Sequence, residues 1–455
     1  MLLLVGYISL GIAIAIPLLL LNVKVAGKLG LIDWPKARGI SDEQIPIVGA
    51  SLVLISLGVL FTLTQYYQMQ PWLLLTGGFM AGMGLLDDRK PIPAIDKMFF
   101  QVCCAAAVVF LDPNIKAAMI TKYGYMGAVV TFFAIVYLVN AINFIDGIDG
   151  LAGLVLIMGA SGLIAFSRGT QESYPYLLYS AILIGTLIPF LFVNIKLRKG
   201  FLGNVGSYFF SHVLAVMHFS IPLEASSVTA RFSLTALCFL IPVADSSMVI
   251  MSRLLTFRSP FQPDKGHLHH RLVQTSIPLK WILLNFGLIE VSGLTLAYLI
   301  TRSSAVSDLY LPVFTCLSLS GITAVLILLS EKASKRRVQH YLERLDNNLP
   351  IYYFKYEVKN EDGSPMTISK LLRLEARVSS EIRVTDVCFL RKPNELYVCL
   401  STVAEPLKGI SARIDTVFQR EKVQASLVID HGQIIRVSEG AERRLAPHVP
   451  RKKAS

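Results

Sequence analysis

VVTFFAIVYLVNAINFIDGIDGL, residues 129–151, decides how this chain is read. Its first part, Val129 to Leu138, is apolar enough for a membrane helix. Its second part sets Asn140, Asn143, Asp146 and Asp149 at the end of that helix, with Gly147 after the first aspartate and Gly150 after the second. A carboxylate at the edge of a bilayer is costly, so such residues pair with something or bind something. Amide and carboxylate oxygens on permissive backbone at a membrane face suit a metal ion and a phosphorylated ligand.

The rest of the chain supplies the membrane. Hydrophobic residues make up 53% of 455 positions, with a mean hydropathy of +0.57, which excludes a soluble protein of this length. Apolar segments recur at 2–22, 47–65, 71–86, 98–111, 125–141, 151–167, 175–194, 205–221, 229–250, 281–301 and 309–330, then stop. The expected fold is therefore an all-α polytopic membrane protein of about eleven transmembrane helices. Lys and Arg favour one set of alternate loops by about three to one. That set includes Lys24, Arg89, Lys97, Lys196, Arg253 and Arg271, and it is expected on the cytoplasmic side. The N-terminus then lies outside and the C-terminus inside. Met1 to Leu21 lacks a basic start and a small-residue cleavage site, so it reads as a retained helix.

The net charge of +12 belongs to cytoplasmic loops facing anionic lipid and anionic substrates. No basic-aromatic stripe argues for nucleic acid. The six cysteines are scattered, with no disulfide framework. No internal repeat supports a transporter.

Four parts are expected: a membrane domain over 1–330, a basic juxtamembrane helix over 331–350, a small cytoplasmic α+β domain over 351–442 and a basic disordered tail over 443–455. IYYFKYEV, EIRVTDVCFL, ELYVCLSTV and QASLVIDHG read as strands, and Leu407 to Glu421 as an amphipathic helix. The appendage carries no catalytic motif and reads as a regulatory or interaction module with a protein partner.

Besides the stretch at 140–151, four more polar strings fall on the same expected face. GLIDWPKARGI holds Asp33, Pro35 and Arg38. GLLDDRKPIPAIDK holds Asp87, Asp88 and Lys97; adjacent carboxylates repel unless a cation or proton intervenes, so they either organise a metal or act as a base. GFLGNVGS, 200–207, is a tight turn into a helix whose free amides would favour an anion, with Asn204 placed to coordinate. PDKGHLHHRL, 263–272, holds His267, His269, His270 and Arg271. Zinc is the chemical rival there, but no cysteine lies near, and phosphate binding fits the other strings better.

Taken together, these motifs resemble the polyprenyl-phosphate N-acetylhexosamine-1-phosphate transferase family over about residues 1–330. That family includes the enzymes that start enterobacterial common antigen, O-antigen and wall teichoic acid synthesis, and the phospho-MurNAc-pentapeptide translocase. The GlcNAc-1-phosphate branch is nearest, through HLHHRL and NAINFIDGIDGLAG. The resemblance implies transfer of a sugar-1-phosphate from a UDP-sugar to undecaprenyl phosphate with release of UMP. Mg²⁺ is the implied cofactor, with Mn²⁺ as an alternative, and the bacterial cytoplasmic membrane the implied location. A homodimer is a further expectation.

Residue by residue, Asp87 and Asp88 match the family's paired aspartates, with Asp87 the candidate base. Asn143, Asp146 and Asp149, with Asn140 beside them, match the loop near nucleotide and metal. Lys97 matches a lysine facing phosphate, and His267, His269, His270 and Arg271 match the motif that holds the diphosphate. The expected catalytic set is Asp87, Asp88, Asp146 and Asp149, and the expected metal set Asn204, Asp88 and Asn143. Two departures stand out. The family string is usually GDxGS, its Asp a Mg²⁺ ligand, where this chain has Asn204. After the first-loop Pro the family usually reads RKxH, where this chain has Arg38-Gly39-Ile40-Ser41. Either the site tolerates both, or the chain is a weakened or inactive paralogue that binds lipid phosphate or a partner.

Overall fold

The computed structural model describes residues 2–33, 45–67, 69–167, 171–197, 200–222, 228–255 and 279–302, then 315, 339, 352–360, 364, 366, 374–375, 378, 387–392, 395–400, 414–419 and 423–429. The chain divides into two compact units, residues 1–35 with 41–328, and residues 36–40 with 329–455.

The first unit is helical. Its elements are α1 (Leu2–Val25), α2 (Gly49–Tyr67), α3 (Pro71–Arg89), α4 (Ala94–Leu111), a single turn α5 (Pro113–Ile115), α6 (Thr121–Ile145), α7 (Leu151–Phe166), α8 (Tyr174–Leu191), α9 (Gly203–Ser220), α10 (Val228–Cys238), α11 (Leu240–Leu255) and α12 (Leu279–Arg302). Among the described residues, six helical segments are long and apolar enough to cross a membrane: Leu2–Val25, Gly49–Tyr67, Ala94–Leu111, Gly124–Ile145, Gln171–Leu197 and Leu279–Leu299. Of the stretch 309–330 only Thr315 is described.

The expected continuous helix over 229–250 is corrected. α10 and α11 meet at a bend of 97°. Pro242 explains it: proline has no N–H, and its ring collides with the carbonyl four residues back, so α10 stops at Cys238.

α3 shows how sequence becomes packing. Leu73, Gly77, Met80, Gly84 and Asp87 recur at three- and four-residue intervals and form its buried stripe. Two of the five are glycines, so α9 packs against α3 at nearly backbone contact. A Cβ on Gly77 would touch the Phe209 ring at 3.1 Å, and one on Gly84 would meet the backbone of Asn204 and Val205. Small residues permit this close approach where bilayer tails give helices little hydrophobic reason to associate.

Near the N-terminus of α9, a small patch of extended chain ties three segments together. Strands β1 (Ile32–Asp33) and β2 (Ile45–Pro46) pair antiparallel, and Phe201 donates to the Pro46 carbonyl while accepting from Val48. The segment after α1 is thereby fixed beside the start of α9. Pro35 and Arg38 lie outside the described residues.

The second unit contains an antiparallel sheet ordered β4–β5–β3–β6, from β3 (Tyr352–Asn360), β4 (Val387–Lys392), β5 (Glu395–Leu400) and β6 (Val423–Ile429). Tyr356 and Val358 of β3 point into a core with Leu396, Val398, Ile414, Val417 and Phe418. The alternate Lys355 pairs with Glu395 at 2.9 Å. This is the period-two alternation of a sheet covered on one face. Residues 414–419 are helical, and 381–386 and 407–413 lie outside the described residues.

Candidate active site

The site is built where helices end. Asp87 and Asp88 close α3, and because successive helical residues point about 100° apart, the two carboxylates face different neighbours. Asp87, only 7% exposed, accepts from the Ile92 amide at 2.8 Å and pairs with Lys97 Nζ at 3.0 Å. Asp88 accepts from the Asn204 amide at 2.9 Å and the Val205 amide at 3.0 Å. The adjacent like charges are each given a positive partner: an ammonium for one, a helix N-terminus for the other.

That arrangement corrects one expectation. The Asn204 and Val205 amides at the start of α9 are not free to receive a substrate anion, because Asp88 already takes them. The turn that aims them requires glycine: Gly203 has φ +70°, and a Cβ there would press on Ile47 and on Asp88 Oδ2.

α6 brings the amides. Asn143 Nδ2 donates to Ser207 Oγ at 2.6 Å and to Asn204 Oδ1 at 3.4 Å. One turn earlier, Asn140 and Gln101 of α4 exchange hydrogen bonds at 2.6 and 3.4 Å. Asp87, Asp88, Lys97, Asn140, Asn143 and Asn204 are thus drawn together by the ends or end-turns of α3, α4, α6 and α9.

The loop between α6 and α7 carries Asp146 and Asp149. Gly150, with φ +86°, ends it, and its amide donates to Asn194 Oδ1. Asn194 Nδ2 donates to the Gly200 carbonyl at 2.8 Å and lies 3.4 Å from Asp149 Oδ1. Asn194 sits in a π-helical turn, Phe192–Leu197, after Pro189 of α8, the kind of irregularity that accompanies functional sites. It therefore tethers the aspartate loop to the segment leading into α9.

Three residues here went unnoticed in the sequence. Gln101 and Asn194 are lone amides inside apolar runs, which is a signal, though a weak one. Tyr208, buried beside Asp87 and Asp88, has no signal among so many aromatics. His267, His269, His270 and Arg271 lie outside the described residues.

For a divalent ion, the donors are of the right kind: carboxylate and amide oxygens suit Mg²⁺. Among the described residues no three His, Cys, Asp or Glu side chains converge as a self-sufficient metal cage. Mg²⁺ ordinarily uses one or two protein carboxylates and completes its shell with waters and substrate phosphates. Asp88, Asn143 and Asn204 fit that sparse role, arriving together at one helix start.

Residues 71–221, which hold every one of these contacts, match the model of glycosyl transferase family 4. The chain is 29% identical over 286 residues to a decaprenyl-phosphate N-acetylglucosaminephosphotransferase of Mycobacterium tuberculosis (strain ATCC 25618 / H37Rv), covering 55% of this chain and 70% of that one. It is 29% identical over 270 residues to an undecaprenyl-phosphate alpha-N-acetylglucosaminyl 1-phosphate transferase of Yersinia pestis, covering 55% and 72%. It is 27% identical over 263 residues to a probable undecaprenyl-phosphate N-acetylglucosaminyl 1-phosphate transferase of Bacillus subtilis (strain 168), again 55% and 72%.

Proposed function

We infer from the glycosyl transferase family 4 region at residues 71–221 that this chain is a membrane phosphotransferase acting on a polyprenyl phosphate. In full, the proposal is transfer of a sugar-1-phosphate, GlcNAc-1-phosphate by default, from a UDP-sugar to undecaprenyl phosphate. UMP is released and a cell-surface polysaccharide begun. The reaction is assigned to the cytoplasmic face of the bacterial inner membrane, within a bundle of about eleven crossings. The observation that carries this reading is the meeting of Asp87, Asp88, Asn143 and Asn204 at one set of helix ends.

In the reaction an oxygen of the lipid phosphate attacks the β-phosphorus of the sugar nucleotide. The bond from that phosphorus to the α,β-bridging oxygen breaks, and UMP departs with the electron pair. Two anions must be brought together, so positioning and charge neutralisation do most of the work. Lys97 offers an ammonium for phosphate, held ready by Asp87. Asp87 is the proton acceptor for a protonated lipid phosphate. Asn140, Asn143, Asp146 and Asp149 orient the nucleotide side. Asp88, Asn143 and Asn204 would hold Mg²⁺, whose chemistry is to neutralise the diphosphate and the leaving UMP. His267, His269, His270 and Arg271 are assigned to the diphosphate on the resemblance alone.

The test is UMP release by the purified full chain in lipid nanodiscs, with undecaprenyl phosphate and a panel of UDP-sugars at varied Mg²⁺ and Mn²⁺. Turnover is expected with UDP-GlcNAc. None with any sugar at any metal concentration would overturn the reading and favour a second one, a lipid-phosphate-binding paralogue. The specific observation behind that second reading is the neutral side chain at Asn204.

Asn204→Asp separates the two further. The extra carboxylate would sit beside Asp88, and ligand charge strengthens the hold on a divalent ion. The Mg²⁺ midpoint for UMP release is expected to fall about tenfold. In EDTA the variant should unfold at a lower temperature than wild type and recover when Mg²⁺ is added. Identical melting with and without Mg²⁺ would remove Asn204 from the metal site.

A further inference from the structure

Glu290 is the one acid in the apolar run WILLNFGLIEVSGLTLAYLI of α12, and it is 0% exposed. An acid buried at membrane depth calls for a partner. Its partners are the first amides of α11: Ile241 N donates to Oε1 at 2.7 Å and Leu240 N to Oε2 at 3.2 Å. Those amides are orphaned by the 97° break between α10 and α11, and both residues are buried. One turn along α12, Gly293 lets the end of α10 approach: a Cβ there would run into the Leu237 carbonyl. Glu290 and Gly293 therefore form a socket for the break, the carboxylate holding the start of α11 and the glycine admitting the end of α10.

α11 is held on its other side by the helix that carries the site. Tyr137 of α6 donates its hydroxyl hydrogen to the Val243 carbonyl at 2.8 Å, and its oxygen lies 2.8 Å from Ser247 Oγ. Asn140 follows Tyr137 by one turn, and Asn143 by nearly two. Polar contacts tie Glu290 to the start of α11 and α11 to Tyr137, and α6 carries on from Tyr137 to Asn140 and to Asn143, which meets Asn204.

We propose that Glu290 and Tyr137 are positioning residues: together they clamp the bent helix α11 against α6 and set the placement of Asn140 and Asn143. For its activity arm the proposal rests on the function inferred above; its distance arm does not.

The experiment uses the full chain in nanodiscs, in a cysteine-free background, with spin labels at Phe133→Cys on α6 and Met251→Cys on α11, both exposed positions. Pulsed dipolar spectroscopy should give one narrow distance distribution for the otherwise unaltered chain. E290M fills the same volume without accepting a hydrogen bond. E290Q keeps one acceptor oxygen but turns an NH₂ toward the second amide. Y137F removes the opposite bonds. The distribution should broaden or shift most in E290M, less in E290Q, and visibly in Y137F. kcat for UMP release should fall about tenfold in E290M and by less in E290Q, in the same order.

A distribution unchanged in both E290M and Y137F would overturn the clamp. So would an E290M protein identical to wild type in distance, because space-filling alone would then suffice. If E290M does not accumulate, E290Q and Y137F decide the matter. If the wild-type chain releases no UMP, the function fails while the distance series still judges the clamp.

Discussion

Replacing Asp87 by asparagine is expected to lower UMP release by about 10²- to 10⁴-fold, the range for loss of a positioned proton acceptor. The fold should survive. Asparagine keeps an oxygen for the Ile92 amide, the contact that Asp87 makes at 2.8 Å. What it loses is the charge opposite Lys97, now 3.0 Å away. The NH₂ of the new side chain would face an ammonium, so Lys97 would swing away and the pairing would end. Alanine is the harsher change, because it also strands the Ile92 amide, and a buried donor without a partner costs roughly 1–3 kcal/mol. The measurement is UMP release alongside thermal unfolding of the nanodisc-held protein. A variant melting like wild type and retaining more than about a tenth of its turnover would remove Asp87 from the acceptor role.

The pairing logic extends beyond Asp87. Other acids of the helical unit are likewise matched with donors that a helix end supplies. Asp88 takes the first amides of α9, and Glu290 takes those of α11. Asp112 takes the amides of Asn114 and Ile115 at the turn after α4. Low-dielectric surroundings force this: a carboxylate and an orphaned amide are each costly alone and satisfy one another together. Helix breaks near the membrane are therefore where to look for its acids.

This also explains what the sequence could and could not tell. Polar strings ending apolar runs were visible, and the bias of Lys and Arg put them on one face. Those strings, with the family resemblance, led Asp87, Asp146, Asn204 and His269 to be expected together; α3, α6 and α9 bring Asp87, Asp88, Asn143 and Asn204 together, and His269 lies outside the described residues. The partners were hidden, since pairing depends on which helices pack. Asp88 reaches across 116 positions to the amide of Asn204, and Asn194 joins two loops by a side chain no spacing rule marks. The break in the 229–250 stretch did have a signal in Pro242, masked by the apolar run around it. Glu290 had one too, a single acid in an apolar run. Its role depends on that break and could not be read before it.

Gly84→Ala is expected to destabilise the helical unit by about 3 kcal/mol or more, although alanine is the better helix former. The new Cβ would meet the Asn204 carbonyl group and lie 2.6 Å from the Val205 Cα. These are backbone atoms at the start of a helix, and they cannot rotate aside. α3 and α9 must separate, and separation stretches both bonds from Asp88 to α9. Overpacking typically costs about 1–3 kcal/mol, and hydrogen bonds to a charged group about 1.5–3 kcal/mol each, so partial loss of both reaches the stated size. Turnover should fall by about tenfold or more as well, since a shift of Asn204 misplaces the amides that Asn143 and Asp88 hold. The same helix supplies its own control. At Gly78 and Gly82 a Cβ would meet nothing within 4 Å. Alanine at either position should leave stability unchanged or raise it by up to about 1 kcal/mol through helix propensity. Thermal unfolding of the three variants, measured side by side, tests the argument. If Gly84→Ala melts with the other two, the close approach of α3 to α9 is not what holds Asp88 against the start of α9.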